Sequence, residues 1–205
     1  NVKKIGEHKY IVQTDRFASK EYTHVIVANG HHWKPKYPTF EGKFSGTTSH
    51  SHDYKSYLGF EDKKVLIVGI GNSAVDIACE LSTVSKKVTI STRSGAYIIP
   101  KYLFGKPTDH ISKPPLSYAP LFIQRIALKL ALKLNVGNQS NYGVPIPNRP
   151  ILKEHPTVSQ ELLNKVGHGK VKIQPNILKF DQNIVHFTND TQEEFDHIIF
   201  STGYE

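Results

Sequence analysis

Residues 65–81 constrain the fold more than any other part of this 205-residue sequence. The four apolar residues 65–68 are typical of a parallel strand that is covered on both faces. They are followed by Gly69, Gly71 and Ala74 in G-x-G-x-x-A spacing, and then by a segment with the apolar periodicity of a helix. The stretch therefore predicts a strand, a tight turn and a helix of the kind that binds a dinucleotide.

Each position of this glycine motif has its own role in dinucleotide binding. Gly69 allows the tight turn, Gly71 lets the backbone approach a pyrophosphate, and Ala74 lets the helix pack closely on the strand. The start of the helix adds free N–H groups and a partial positive charge that face the phosphates. We therefore expect the pyrophosphate to lie against Gly69, Gly71, Asn72, Ser73 and Ala74. The alternative is a purely structural turn between strand and helix.

The end of the next predicted strand, residues 87–91, indicates which dinucleotide is bound. A chain that binds NAD usually carries an acidic residue there, which contacts the ribose 2′-hydroxyl. This sequence has Ser91, Thr92, Arg93 and Ser94 instead, and hydroxyls beside a guanidinium suit a 2′-phosphate. The pattern favours NADPH over NADH, with Thr92 and Arg93 at the 2′-phosphate. The alternative is that Arg93 is an ordinary solvated side chain.

Two further motifs flank the glycine motif. Phe44, Gly46, His50 and Tyr54 fit the pattern F-x-G-x-x-x-H-x-x-x-[YF]. Residues 200–204, with the sequence FSTGY, fit a second pattern, F-A-T-G-Y, except that serine replaces alanine. Both patterns resemble those of flavin-containing monooxygenases, and the first resembles the identifying signature of that family. On these motifs the chain is identified as a member of the family.

The resemblance implies an activity and two cofactors. In such enzymes NADPH reduces FAD, and the reduced flavin uses O2 to oxygenate a nucleophilic nitrogen or sulfur of a small molecule. His50 is implied to be a hinge or a residue that orients the cofactor rather than a proton carrier. No catalytic residue is nominated, no metal ligand is expected, and the sequence does not identify the substrate.

Two other functions are kept open. Baeyer–Villiger monooxygenases have a related signature that normally ends in tryptophan, so Tyr54 favours N- or S-oxygenation over Baeyer–Villiger chemistry. The other alternative, from a different class, is a non-catalytic nucleotide-binding module.

The domain prediction follows from the position of the motifs. Residues 61–205 are expected to form an NADPH-binding domain, with a Rossmann-like, doubly wound parallel sheet in three layers and a β-meander inserted late. Residues 1–60 are expected to be the trailing part of an FAD-binding domain and the linker between the domains. The sequence has one G-x-G-x-x-[GA] motif and no methionine. We therefore expect a fragment that binds NADPH but does not catalyse alone, with the remaining FAD domain as its partner.

The composition narrows the function and the compartment. The 26 lysines and arginines exceed the 18 aspartates and glutamates, which gives a net charge of +8. The lysines are scattered in pairs rather than clustered, so we expect no nucleic-acid binding. Cys79 is the only cysteine, which excludes a disulfide reductase with a redox pair and indicates a cytoplasmic protein.

The apolar patterns predict the order of the elements. Strands are expected at residues 65–68, 87–91, 171–174 and 196–201, helices at 72–82 and 119–135, a hairpin around Gln182–Asn183, and an early pair of strands at 10–14 and 24–28. In the second helix, Arg125, Lys129 and Lys133 follow each other at a spacing of four. We expect this helix to pack on its own domain or on the FAD domain, with peripheral membrane contact as the alternative.

Overall fold

The computed structural model describes residues 1–30, 32–114 and 116–205, and only the backbone of residues 111 and 112. The described chain divides into two compact units, Asn1–Lys34 and Pro35–Glu205. The first unit is an antiparallel sheet of β1 (Val2–Gly6), β2 (Lys9–Val12) and β3 (Lys20–Tyr22).

The prediction of a strand at residues 24–28 is wrong. These residues have no regular secondary structure, and their apolar side chains Ile26 and Val27 are 90% and 76% exposed. A β-strand needs a neighbouring strand for its backbone hydrogen bonds. None of the described strands pairs with this segment.

The second unit contains the remaining elements. Its strands are β4 (Thr47–His50), β5 (Lys64–Val68), β6 (Lys87–Ser91), β7 (Ile98–Ile99), β8 (Tyr102–Leu103), β9 (Lys106–Pro107), β10 (Thr157–Val158), β11 (Val171–Gln174), β12 (Ile177–Asp181), β13 (Ile184–Phe187), β14 (Gln192–Glu194) and β15 (His197–Phe200). Its α-helices are α1 (Asn72–Leu81), α2 (Leu121–Asn135) and α3 (Leu162–Gly167), and short 3₁₀-helices lie at Thr108–Ser112, Leu116–Tyr118 and Gln139–Tyr142. The predicted helices and the strands predicted from residue 65 onward all occur, with ends shifted by one or two residues at most.

Five parallel strands form the central sheet, in the order β11–β6–β5–β15–β4. Successive side chains of a strand point to opposite faces. Val65 and Ile67 of β5 pack in a core with α1 and α3, whereas Leu66 and Val68 pack in a core with β12, β13 and Phe195, which follows β14. Helices cover one face and the antiparallel meander β12–β13–β14 covers the other, which confirms the predicted three-layer α/β fold.

The compact second unit begins at Pro35 rather than at residue 61. The reason is that β4 is the edge strand of the central sheet, where it pairs with β15 from His197↔Thr47 to Phe200↔His50. The assignment of residues 1–60 to an FAD-binding domain and linker stays a prediction.

Glu193 on β14 links the meander to the central sheet through ion pairs and hydrogen bonds. Its carboxylate accepts hydrogen bonds from Lys87 Nζ (2.7 Å), from Lys172 Nζ and from Gln174 Nε2 (2.6 Å). Burial alone would raise the pKa of Glu193, but these donors outweigh burial and hold the pKa below its ordinary value. The charged carboxylate therefore joins the meander to both β6 and β11.

Helix α2 packs only one of its sides against the second unit. Leu128 is buried beside Leu103 and Ile151, and Arg125 Nε donates to the Ile151 carbonyl at 3.0 Å. Other apolar side chains of the helix are more than half exposed, namely Phe122, Ile126, Leu130 and Leu134. The expected packing on its own domain is therefore found for one side of α2. Among the described residues, no helix combines the length and the apolar character that a membrane span requires.

His197 on β15 lies in an enclosed site between β4 and the segment before β5. Its Nε2 is hydrogen-bonded to Ser49 Oγ at 2.8 Å, and its ring centroid is 4.8 Å from that of Phe60. Burial, with a smaller effect of the charge on Lys63, lowers the pKa of His197 to about 4. The imidazole is therefore neutral at physiological pH.

The neutral state of His197 predicts a loss of stability in acid. Between about pH 6.5 and pH 4 the unfolded chain binds a proton at this residue that the folded chain does not, so the free energy of unfolding falls as the pH is lowered. His197→Gln keeps a partner for Ser49 but cannot titrate. Its free energy of unfolding should fall by about 2 kcal/mol less than that of the wild type over this window. Urea titrations at about pH 7 and about pH 4.5 measure the difference.

His168→Gln is the matched control, because His168 is exposed. It should keep the pH dependence of the wild type. The account of His197 is contradicted if His197→Gln loses as much stability in acid as the wild type does.

Candidate functional site

The glycine turn joins the end of β5 to the start of α1. Gly69 has a φ of +119°, and a Cβ at this position would lie 2.4 Å from the carbonyl oxygen of Ser201. The Gly69 N–H donates to the Ser91 carbonyl at 2.9 Å, which ties the turn to the end of β6. Position 69 therefore requires glycine for two reasons, its left-handed backbone and the close approach of Ser201.

Gly71 is the N-cap of α1, and neither its backbone conformation nor its neighbours require glycine. Its φ is −78°, which any residue adopts, and a Cβ built on it would have nothing within 4 Å. The fold itself does not require glycine at position 71. The open space beside the backbone is what close approach of an external group needs.

The start of α1 offers hydrogen-bond donors to such a group. The first helical hydrogen bond of α1 runs from the Val75 N–H to the Gly71 carbonyl at 3.0 Å. The N–H groups of Asn72, Ser73 and Ala74 therefore precede the helical ladder, and no side chain caps the helix. Together with the helix dipole these groups can bind an anion.

Strand β10 forms hydrogen bonds to the glycine turn and to the first residue of α1, which the sequence did not predict. Asn72 Oδ1 accepts a hydrogen bond from the Val158 N–H at 2.8 Å, and Thr157 Oγ1 donates to the Ile70 carbonyl at 2.7 Å. The Asn72 side chain thus bonds to β10, and its backbone N–H, which precedes the helical ladder, is the group left for a ligand. Ala74 is fully buried, as close packing of the helix on the sheet requires.

The loop after β6 holds the two residues predicted for the 2′-phosphate. Thr92 is buried, its N–H donates to the Gln174 carbonyl at 3.0 Å, and its Oγ1 accepts from the Gly95 N–H at 3.1 Å. Thr92 therefore shapes the loop. Arg93 is exposed to solvent and is available to an anion.

A cavity of about 470 Å³ lies where β5, β6 and β15 end. We call it the switch cavity, because the strand order changes direction at β5. The strands β6 and β11 follow on one side of β5, and β15 lies on the other. Such a switch point is where α/β folds bind ligands. Residues from both predicted segments and from elsewhere line it, namely Lys36, Pro38, Thr39, Phe40, Val68, Gly69, Ile70, Ser91, Thr92, Arg93, Ser94, Asn176 and Thr202. The structure thus brings Gly69 together with Thr92 and Arg93. The other predicted residues, Gly71, Asn72, Ser73 and Ala74, follow the lining residue Ile70 in sequence but do not line the cavity themselves.

Lys36 and Thr202 line the switch cavity although the sequence assigned them no site role. Thr202 Oγ1 donates to the Lys36 carbonyl, and the Lys36 N–H donates to the Gly203 carbonyl at 3.0 Å. Thr202 belongs to the FSTGY motif, which could have indicated its importance. Lys36 adds a second cationic side chain to the cavity.

The first half of the signature packs the segment before β4 against the meander, through Phe44 and Gly46. The Phe44 ring lies 5.8 Å from that of Phe180 on β12. A Cβ on Gly46 would lie 2.6 Å from Phe44 Cε1 and 2.7 Å from the Asp196 carbonyl oxygen. This crowding explains why the position holds glycine.

His50 is fully buried at the end of β4. Its Nδ1 accepts a hydrogen bond from the His52 N–H at 3.1 Å, and its ring packs edge-on against Tyr37 and Tyr204, each 5.4 Å away. Burial lowers the pKa of His50, and the opposing effect of Asp53 is smaller. A buried, neutral histidine packed between aromatic rings can position the chain that leaves the sheet.

Tyr54 fixes the other half of the signature to the helix layer. Its hydroxyl donates to Glu80 Oε2 at 3.0 Å, and its ring lies 5.7 Å from that of Phe60. Burial and the hydrogen bond to Glu80 raise the pKa of Tyr54, so the phenol stays protonated. None of the four signature residues lines the switch cavity. They join β4 to the meander and to α1.

Cys79 on α1 is buried in the helix-side core. Burial raises the pKa of its thiol to about 11. The thiol is therefore protonated at neutral pH and is no nucleophile.

Comparison with known proteins gives the same family as the motifs. A profile of the family described as FMO-like, flavin-binding monooxygenase-like, matches residues 4–205. Human flavin-containing monooxygenase 5 is 37% identical over 190 residues, which cover 88% of this chain and 36% of the relative. Mouse dimethylaniline monooxygenase (N-oxide-forming) 2 is 34% identical over 190 residues, which cover 88% of this chain and 35% of the relative. The chain thus spans little more than a third of the length of these proteins.

A solved structure shares the fold. Cyclohexanone monooxygenase from Rhodococcus sp. Phi1, solved bound to NADP+, aligns with a TM-score of 0.66 and 14% identity over 97% of this chain and 49% of its own. At this identity the likeness concerns the fold alone. The family profile, in contrast, covers nearly the whole sequence, and the two relatives each exceed 30% identity. The chain belongs to the flavin-binding monooxygenase-like family.

Proposed function

We propose that this chain is the NADPH-binding part of a flavin-dependent monooxygenase. The observation that carries the proposal is the switch cavity, where the glycine turn after β5 meets the basic loop after β6. Family membership supports a flavin enzyme, and the fold is shared with a protein that was solved bound to NADP+.

The described residues fit NADPH at each of its charged groups. The open space at Gly71 and the N–H groups at the start of α1 suit the pyrophosphate. Arg93 and Lys36 supply positive charge at the switch cavity, and Arg93 follows β6, the second strand of the dinucleotide-binding fold, which supports its proposed contact with the 2′-phosphate. A bound nucleotide would supply the hydride that reduces the flavin, and the chain would supply the binding and the orientation.

No residue of this chain is assigned to FAD or to proton transfer. The single G-x-G-x-x-[GA] motif is assigned to NADPH, and His50 is buried and neutral. We therefore propose that the flavin is held by a separate FAD domain of the whole protein, and that this domain is the partner of the chain. By itself the chain is expected to bind NADPH without catalysing oxygenation.

For the whole protein we propose oxygenation of a nucleophilic nitrogen or sulfur of a small molecule. Tyr54 at the last signature position and the N-oxide-forming mouse relative support this reaction. Baeyer–Villiger oxidation is the second candidate, because the fold is shared with a cyclohexanone monooxygenase. We propose the cytoplasm as its compartment, since the only cysteine is buried and free.

Replacement of Gly71 tests the pyrophosphate site. Gly71→Val places a side chain in the space that the pyrophosphate would occupy, while its backbone conformation suits any residue. The variant should fold with wild-type circular dichroism and bind NADPH at least about a hundredfold more weakly, a loss of roughly 2.7 kcal/mol. Isothermal titration calorimetry measures the affinity.

Gly69→Ala is the contrasting variant, because its Cβ would meet the Ser201 carbonyl oxygen at 2.4 Å. It should lower the melting temperature as well as the affinity. A folded Gly71→Val chain with unchanged NADPH affinity would show that the pyrophosphate lies elsewhere.

Replacement of Arg93 tests the choice of nucleotide. A charge-assisted contact to the 2′-phosphate is worth roughly 1.5–3 kcal/mol. Arg93→Ala should therefore weaken NADPH binding by roughly ten- to a hundredfold and leave NADH binding nearly unchanged. Calorimetric titrations with both nucleotides measure the two affinities.

Lys86→Ala is the matched control, because Lys86 is an exposed cation immediately before the opposite end of β6. It removes the same net charge and should leave the preference for NADPH intact. An equal loss of affinity for NADPH and NADH in Arg93→Ala would mean that Arg93 does not contact the 2′-phosphate.

A further inference from the structure

Arg149 reaches the loop after β6 from a distant part of the sequence. It lies in a stretch that we call the arginine segment, residues 143–150. Its Nη2 donates to Ser94 Oγ at 2.7 Å. Ser94 follows Arg93 directly and lines the switch cavity with it. A second guanidinium is thereby bonded to a residue that lines the switch cavity, although Arg149 itself is not among the lining residues.

The arginine segment is held against this loop by contacts that involve its backbone. Nε2 of the buried Gln139 donates to the carbonyls of Ala96 (2.8 Å) and Pro145 (3.0 Å) and so joins the loop to the segment. A Cβ on Gly95 would lie 2.6 Å from the Pro145 carbonyl oxygen. The two backbones therefore meet with no side chain between them, which holds the segment that carries Arg149 against the loop.

The charge on Arg149 is balanced by a carboxylate that an anion can replace. Nη1 of Arg149 forms an ion pair with Glu154 Oε1, and the two side chains are 35% and 59% exposed. An ion pair this exposed contributes little to stability. A phosphate monoester carries more negative charge than a carboxylate and has three acceptor oxygens, so it is the stronger partner for a guanidinium.

We propose that Arg149 is a second determinant of specificity for the 2′-phosphate, beside Arg93, and that Glu154 is the counter-ion that the phosphate displaces. The proposal rests on the proposed function, in which NADPH binds at the switch cavity. It makes the recognition of the 2′-phosphate depend on a segment more than fifty residues away along the chain. The Ser94 hydroxyl holds the guanidinium at the loop that carries Arg93 before the nucleotide arrives.

The test uses two probes that differ only in the phosphate, 2′,5′-ADP and 5′-AMP. Arg149→Gln should weaken the binding of 2′,5′-ADP about tenfold and leave 5′-AMP unchanged. Glu154→Gln removes the competing carboxylate, and should strengthen the binding of 2′,5′-ADP severalfold, again without an effect on 5′-AMP. Calorimetric titrations of the wild type and the variants measure all these affinities.

Lys153→Gln is the matched control, because Lys153 is an exposed cation next to the ion pair. It removes one charge from the same region and should reproduce the wild-type affinities. Circular dichroism verifies that each variant is folded. If Arg149→Gln does not fold, Arg149→Lys replaces it and should weaken 2′,5′-ADP binding about threefold, because lysine cannot bond to Ser94 and the phosphate with one planar group.

The outcomes separate this proposal from the proposed function. The role of Arg149 is overturned if the Arg149 variant loses affinity for both probes equally, or loses affinity for neither. If Arg93→Ala loses the preference for NADPH while the Arg149 variant keeps it, the proposed function stands and this proposal fails. If the wild type binds neither NADPH nor 2′,5′-ADP, the proposed function fails and this proposal fails with it.

Discussion

The close approach of the Gly69 backbone to the Ser201 carbonyl is the contact on which the site depends. It brings the end of β5 against the end of β15, while the Gly69 N–H bonds to Ser91 at the end of β6. The three strand ends are thereby fixed relative to one another, and the switch cavity lies between them. A side chain at position 69 would separate the strand ends, so the glycine has a structural role as well as a place in the proposed site.

The parts that the sequence predicted are those in which neighbouring residues carry the information. The strand at 65–68, the turn and the helix follow from a continuous apolar run, two glycines and a 3.6-residue period within seventeen positions. The meander could be predicted because ILKFD and IVHFT alternate and are joined by two residues. The nearness of Arg93 to Gly69 also follows, since consecutive parallel strands end at the same edge of a sheet.

The parts that the sequence did not predict depend on contacts between distant residues. Thr157 bonds to the carbonyl of Ile70, and Arg149 bonds to Ser94, and no local pattern shows either pair. The strands β7 to β10 have two residues each, too few for any periodicity. The strand predicted at 24–28 failed for a related reason, because apolar residues form a strand only where another strand pairs with them.

A crystal structure of the chain with NADP+ tests the central claim most directly. The account predicts pyrophosphate oxygens within hydrogen-bond distance of the N–H groups at the start of α1, and the 2′-phosphate against the Arg93 guanidinium at the switch cavity. A nucleotide bound away from the switch cavity, or bound there with its 2′-phosphate remote from Arg93, would contradict it.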